Sequence, residues 1–344
     1  MKEIPVKEAV GQVLCHDITQ IIRDVSKGPV FRKGHIIREE DIPVLLSVGK
    51  EHIYVWEKQE GILHENEAAE ILRDICISEN MIPSEPKEGK IELRAETDGL
   101  FKIRKDRMLQ VNLLGEMLIA TRHANTPVKK GDVLAGTRVI PLVIEAAKME
   151  RAKEAAGPEP LLRIMPYQHK KVGIVVTGSE ILKERIKDTF NPVVLEKLQK
   201  YPVEVLGQIR SGDDKERISE AIENFIRQGA DLVICTGGMS VDPDDRTPGA
   251  IAATGAETVT YGAPVLPGAM MMVAYWPRAG KTDAVITGLP GCVMYAKQTI
   301  FDLLLPRIMA DDRITREEIA ELGIGGLCLN CAVCTYPNCG FGKA

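Results

Sequence analysis

Four of the eight cysteines, Cys328, Cys331, Cys334 and Cys339, fall within the C-terminal 17 residues, in the pattern Cys-x2-Cys-x2-Cys-x4-Cys. Four thiolates on such short spacers suffice for a tetrahedral Zn²⁺ site or an iron–sulfur cluster, and the spacing leaves both open. Clustering in one segment of a long, otherwise Cys-poor chain points to metal rather than to a disulfide framework. A second constellation consists of three small-residue loops. They are Thr177-Gly178-Ser179-Glu180, then Thr236-Gly237-Gly238-Met239-Ser240 followed by Asp242-Pro243-Asp244-Asp245-Arg246-Thr247-Pro248, and Thr287-Gly288-Leu289-Pro290-Gly291. Glycine lets the backbone approach an anion closely, and a following helix adds partial positive charge at its start. Neighbouring carboxylates can hold Mg²⁺ that bridges to phosphate oxygens. The chemistry these loops suit is the binding of a phosphate-bearing ligand. Neither a G-x-x-x-x-G-K-[ST] phosphate loop nor a G-x-G-x-x-G fingerprint is present, which removes the best support for nucleotide hydrolysis and dinucleotide redox chemistry.

The elements that must position these loops alternate strand with helix. Val172 to Thr177, Asp231 to Thr236 and Ala284 to Thr287 are continuous apolar runs, as expected of strands buried on both faces of a parallel sheet. Val203 to Leu206 supplies a further strand. Asn191-Pro192 is expected to open one helix, Ser211 or Asp213 to cap a second that carries Ile218, Ile222, Phe225 and Ile226 on one face, and Met294 to Ile308 to form a last one. This alternation predicts an α/β fold with a mostly parallel sheet and helices on both faces over residues 170–310. Ligands of such sheets bind beyond the carboxyl ends of the strands, where all three loops fall.

Residues 1–89 read as an N-terminal α+β region, with a helix from Glu39 to Val48 stopped by Gly49, a strand at Ile53 to Trp56 and a helical face from Asn66 to Asn80. Residues 90–141 alternate β-prone runs with turns and read as a small β-rich subdomain. Residues 142–169 read as a linker whose mixed-charge stretch, Leu142 to Ala156, is expected to be a solvated helix. Residues 311–344 form the Cys-rich tail.

The chain has 344 residues, 44% of them apolar and 27% charged, the profile of a globular protein of two or three domains. Its 44 basic and 49 acidic side chains leave a net charge of −5, the wrong balance for a duplex-binding surface, and the 4% aromatic share is too low for base-stacking platforms. No nucleic-acid or membrane partner is therefore expected. No apolar run approaches the ~18 residues of a membrane span, and Met1-Lys2-Glu3-Ile4-Pro5 lacks the apolar segment of a secretory signal, so a cytoplasmic location is expected. Cys235 is expected in the core, and Met270, Met271 and Met272 in packing. Cys292, in the last loop, is placed equally well against ligand or against protein.

The ordered series Thr177-Gly178-Ser179-Glu180-Ile181, Asp188-Thr189-Phe190-Asn191, Asp213-Asp214, Thr236-Gly237-Gly238-Met239-Ser240-Val241 and Leu289-Pro290-Gly291 resembles the molybdopterin-binding domain of molybdopterin molybdenumtransferases and the related adenylyltransferases. More faintly, Val6 to Leu14 with Asp17, and Lys33 to Ile37, are similar to the opening of the molybdenumtransferases. The resemblance implies binding of molybdopterin or its adenylylated form, with molybdate and Mg²⁺ as further ligands, in molybdenum cofactor biosynthesis, and a homodimer supported by the N-terminal region. Carried over by position, Glu180, Asp213 and Asp245 match acidic positions that handle metal, molybdate or nucleotide. Thr177, Gly178, Ser179, Asp188, Thr236, Gly237, Gly238, Ser240, Pro290 and Gly291 match cofactor-binding positions.

The chain departs from that pattern where the transferases carry cations. Val265-Leu266-Pro267-Gly268-Ala269-Met270 stands where the family has a Lys-Pro-Gly-Lys-Pro run, and Leu289-Pro290-Gly291-Cys292-Val293 where it has Leu-Pro-Gly-Asn-Pro. Ser240-Val241-Asp242 replaces a Ser-Val-Gly, and Arg246 stands before Thr247-Pro248 where the adenylyltransferases have aspartate. Without the lysines that would face bound oxyanions, a transferase is one reading. The other is a non-catalytic carrier or sensor that delivers cofactor to a molybdoenzyme through the Cys-rich tail. The tail run itself is similar to the ferredoxin cluster run, without the terminal Cys-Pro, since Pro337 precedes Cys339.

Overall fold

The computed structural model describes residues 2–22, 26–55, 60–178, 182 and 189–343. Two compact units emerge. The first comprises Met1–Glu96, Ile103–Arg122 and Gly131–Arg163, and the second Thr97–Lys102, His123–Lys130 and Ile164–Ala344.

In the first unit the strands Lys2–Pro5 and His52–Val55 pair antiparallel, and Leu14, Ile18, Ile37, Leu45 and Ile53 close a small core beside them. The first helix spans Asp41–Ser47. The second runs Glu65–Cys76 rather than to Asn80, because Ile77 is already extended and Met81–Pro83 joins a sheet. That sheet has four antiparallel strands, in the order Met81–Pro83, Lys90–Ala95, Val133–Val139, Met117–Thr121. The charged helix is Ala146–Ala156, shortened because Val143–Glu145 pairs as a strand with Ile62–His64. It is not solvated all round: Met149, Ala152 and Ala156 are buried along one face, and its charges occupy the other.

The second unit is built on a six-stranded sheet. Its order is Val203–Arg210, Lys170–Val176, Leu232–Thr236, Ala284–Leu289, Met272–Trp276, Glu257–Tyr261. The first four strands are mutually parallel and the last two antiparallel, the mostly parallel sheet expected. Alternate residues of each strand feed two separate cores. Val172, Ile174 and Val176 face Phe190, Val194, Phe301 and Leu304 on one side; Val175, Val233, Cys235 and Ile286 meet Ile218, Ile222, Phe225 and Ile251 on the other. Helices therefore cover both faces, which explains why these strands read as unbroken apolar runs. Gly173 permits the closest of these contacts, since a Cβ there would overlap the Phe225 ring. Cys235 is fully buried, as expected, and burial pushes its thiol up to about 12.

Two helix starts differ from expectation. The cap of Lys215–Arg227 is Asp214, whose carboxylate accepts from the Arg217 amide at 2.9 Å, and not Ser211 or Asp213. The last long helix is Ile300–Met309; Gly291–Met294 is only a short 3₁₀ turn. The Thr299 side chain accepts from the Phe301 amide and Asp302 caps back onto the Thr299 amide at 2.8 Å, a capping box that sets the start six residues later. Asp302 also accepts from the buried Lys197 at 2.6 Å.

Beyond the short helix Arg316–Glu321 the chain docks onto the same unit. Leu327 bridges Leu266 in parallel, with the Leu266 amide on Gly326 O and the Cys328 amide on Leu266 O, both 2.8 Å. Tyr336 Oη donates to Asp302 O at 2.9 Å, and Phe341 enters the core. Among the described residues no helix is long and apolar enough to cross a membrane.

Candidate functional site at the strand ends

Thr177, Gly237, Gly238 and Thr247 interlock just past the carboxyl ends of the neighbouring strands Lys170–Val176 and Leu232–Thr236. The Thr177 amide donates to Thr236 O at 2.8 Å, and its hydroxyl lies 3.1 Å from the same carbonyl and 3.0 Å from Thr247 Oγ1. Thr247 Oγ1 also reaches Gly237 O at 2.9 Å. Gly237 and Gly238 have φ of 88° and 57°, and a Cβ on Gly237 would stand 2.5 Å from Thr177 O. Only glycine fits there. The Thr236 hydroxyl is fully buried with no hydrogen-bond partner among the described residues, as is that of Ser211, which follows the edge strand. Buried polar atoms without partners are uncommon and need a reason.

The remaining expected site residues occupy the rim. Asp213 is half-buried after the edge strand, and Asp245 half-buried on the loop that leads into the helix Thr247–Ala253. Ser240 is exposed. Gly178 has φ 122°, Pro290 is buried, and Gly291 opens the 3₁₀ turn. Ser179, Glu180 and Asp188 lie outside the described residues. Cys292 is half-buried, and burial pushes its thiol up, which keeps it protonated.

One contributor escaped sequence reading. Tyr261 Oη donates to Met239 O at 3.1 Å and pins the glycine loop from an antiparallel edge strand. Burial, then the charge of Asp245, raises its pKa, so it remains a donor. No motif announces it, because its partner lies 22 residues upstream and the bond is to backbone.

Among the described residues no three His, Cys, Asp or Glu side chains gather closely enough to hold a metal ion. Asp213 and Asp245 stand on separate loops. In the C-terminal segment Cys328 and Cys339 are half-buried, and Cys331 and Cys334 exposed.

Residues 173–310, which span this sheet and its loops, match the family described as "Probable molybdopterin binding domain". This segment is a molybdopterin-binding domain of the molybdenum cofactor biosynthesis family. Residues 3–57 match a domain of unknown function, DUF8806. The chain is 25% identical to a molybdopterin molybdenumtransferase of Synechococcus elongatus over 183 residues, 51% of this chain and 42% of that protein. It is 34% identical to a CinA-like protein of Mycobacterium avium over 77 residues, 22% of this chain and 18% of that protein. The chain thus spans less than half the length of these curated relatives. Among solved structures, a tungsten cofactor synthesizing protein MoaB from Pyrococcus furiosus matches at 21% identity and a TM-score of 0.35, over 41% of this chain and 93% of that one. A putative molybdenum cofactor biosynthesis protein from Corynebacterium diphtheriae matches at 19% identity and a TM-score of 0.34, over 43% and 100%. In the molybdopterin-binding domain of this chain, the interlocked glycine loop occupies the ligand-binding end of the sheet.

Proposed function

We propose that this chain binds molybdopterin, or its adenylylated form, at the glycine loop and acts in molybdenum cofactor biosynthesis by inserting molybdenum into the bound pterin. The observation that carries the proposal is the loop at Gly237 and Gly238, whose positive-φ backbone packs too closely on Thr177 and Thr247 to admit any side chain, set beside the unpartnered hydroxyl of Thr236. Such a loop fits a phosphate, which takes amide and hydroxyl donors at close range. Mg²⁺ is bound by one or two carboxylates plus substrate phosphates and needs no cage of protein ligands, so Asp213 and Asp245 fit it. When bound, it would neutralise phosphate charge. Asp245 and Asp213, with Glu180, would hold it against the ligand; Ser240, Thr177 and Gly178 would orient the phosphate; and Pro290 and Gly291 would border the pterin. Ser179 and Asp188 enter by resemblance alone.

A second reading is favoured by one feature of the C-terminal segment. Leu266 lies in the stretch that lacks the family lysines, and its backbone is paired on both sides by Gly326 and Cys328. A protein that has replaced oxyanion-facing cations with a docked Cys-rich segment suits a carrier that hands cofactor to a molybdoenzyme. Two further expectations belong to the same proposal. One is a cytoplasmic location. The other is a homodimer through the N-terminal region, supported by the exposed apolar pair Val13 and Ile36, which bridge each other.

Anaerobic titration of the full chain with molybdopterin tests the reading. Saturable binding that weakens at least tenfold in Ser240→Ala is expected, and no saturable binding by the native chain overturns it. Molybdate-dependent cofactor formation that Asp245→Asn abolishes would favour insertion. Binding without any such formation would favour the carrier.

A further inference from the structure

We propose that Cys328, Cys331, Cys334 and Cys339 ligate a four-iron, four-sulfide cluster in the cavity that the C-terminal segment encloses. Molybdopterin binding does not enter this inference. All four cysteines line one cavity of about 460 Å³, together with Pro267, Tyr295, Lys297 and Gln298. A single tetrahedral ion with metal–sulfur bonds of ~2.3 Å would draw its sulfurs to within about 3.8 Å of one another. All four residues line the same space. A cluster interposes iron and sulfide between its thiolates, so it accepts ligands spread around a volume rather than gathered at a point. The spacing is compatible with this: Cys-x2-Cys-x2-Cys presents three thiols from one continuous loop, as cluster runs do.

The walls are held independently of any metal. Leu327 is bridged to Leu266, Phe341 is buried, and Lys297 Nζ donates to Ala332 O at 3.0 Å, with Cys331 O at 3.5 Å. The cation on Lys297 thus stands beside the loop that would carry the negative charge of four thiolates. The cavity takes up a preformed cluster carried on small-molecule thiolates by ligand exchange: as each cysteine sulfur bonds one iron, that iron's bond to a carrier thiolate breaks and the cysteine proton passes to the departing thiolate, with no change in cluster oxidation state.

The test is to isolate the full chain without oxygen, reconstitute it with iron and sulfide, and measure iron, acid-labile sulfide, zinc and the Mössbauer spectrum. The variants are Cys331→Ser, Cys334→Ser and, as a non-ligand change in the same segment, Leu329→Ser. About four irons and four sulfides per chain are expected in the native protein and in Leu329→Ser, falling to under a quarter in each cysteine variant. One zinc per chain without iron, absence of iron and sulfide after reconstitution, or full loading of both cysteine variants would each overturn the proposal. If the cysteine variants fail to fold, the native Mössbauer spectrum decides alone: irons in a thiolate-ligated cluster support it, and adventitious ferric iron refutes it.

Discussion

The hydroxyls of Thr177 and Thr247 stand 3.0 Å apart, although 70 residues separate them in the chain. One opens the first strand-end loop and the other starts the helix after the glycine loop, so the pair joins the two loops. Thr247 is fully buried and its hydroxyl also holds Gly237 O, which makes the loop a pre-organised unit rather than a turn that must be ordered by its ligand.

Gly237→Ala is therefore expected to damage the site. Its φ of 88° disfavours any L side chain, and the added Cβ would press on Thr177 O. A cost of about 1–3 kcal/mol is expected, with a loss of molybdopterin affinity of at least tenfold. Thermal denaturation and ligand titration of the same variant check both parts; unchanged affinity would show that the loop does not contact the ligand.

Lys197→Met should destabilise the second unit strongly. Lys197 and Asp302 form a buried ion pair at 2.6 Å, and Asp302 also caps the Ile300–Met309 helix. Removing one partner leaves an uncompensated buried charge, at a cost of about 3–5 kcal/mol. Urea unfolding should show an earlier midpoint. An unaltered midpoint would mean that water or rearrangement satisfies Asp302.

Much of this unit was legible beforehand, and Lys197 shows where legibility stopped. The unbroken run Val172 to Val176 announces a doubly covered strand, because burial on both faces removes the polar alternation. Nothing near Lys197 announces its partner, which lies 105 residues away. The same holds for Tyr261, whose function depends on an antiparallel strand bringing it beside Met239.

Acid should weaken the first unit before it protonates most carboxylates. His64 Nε2 donates to Cys15 O at 2.9 Å, while its Nδ1 accepts from the Asn66 amide at 3.2 Å and lies 3.0 Å from Lys33 Nζ. That arrangement requires neutral imidazole, and burial, followed by the Lys33 charge, lowers its pKa below the ordinary 6.5. His16 shifts the same way, chiefly through burial. A histidine with a lowered folded pKa contributes stability that is complete above about 6.5 and is lost as pH falls toward the folded value. Unfolding free energy should fall with acid through that window. His64→Gln should reduce the slope, and an identical slope in the variant would exclude His64 as its source.

Gly173→Ala tests the layer packing without touching the site. Its Cβ would overlap the Phe225 ring, so the helix Lys215–Arg227 must shift or the ring must leave its rotamer. A destabilisation of about 1–3 kcal/mol is expected, read by chemical denaturation. Phe225→Leu in the same background should recover part of it, and failure to do so would place the strain elsewhere.

By itself the sequence determined the class of the second unit, the order of its loops and the residue types that suit a phosphate-bearing ligand. Those properties follow from local periodicity and from glycine at turns, which are written in consecutive residues. It also displayed the four C-terminal thiols, but as a spacing compatible with more than one metal. Only the tertiary structure decided that Thr177, Gly237 and Thr247 lock into one cradle, that Asp214 rather than Asp213 caps its helix, and that the four cysteines surround a single cavity. Each of these depends on side chains brought together from distant strands or on competition among neighbouring caps. Such outcomes are settled by packing and hydrogen-bond satisfaction over the whole fold, not by any short stretch of chain.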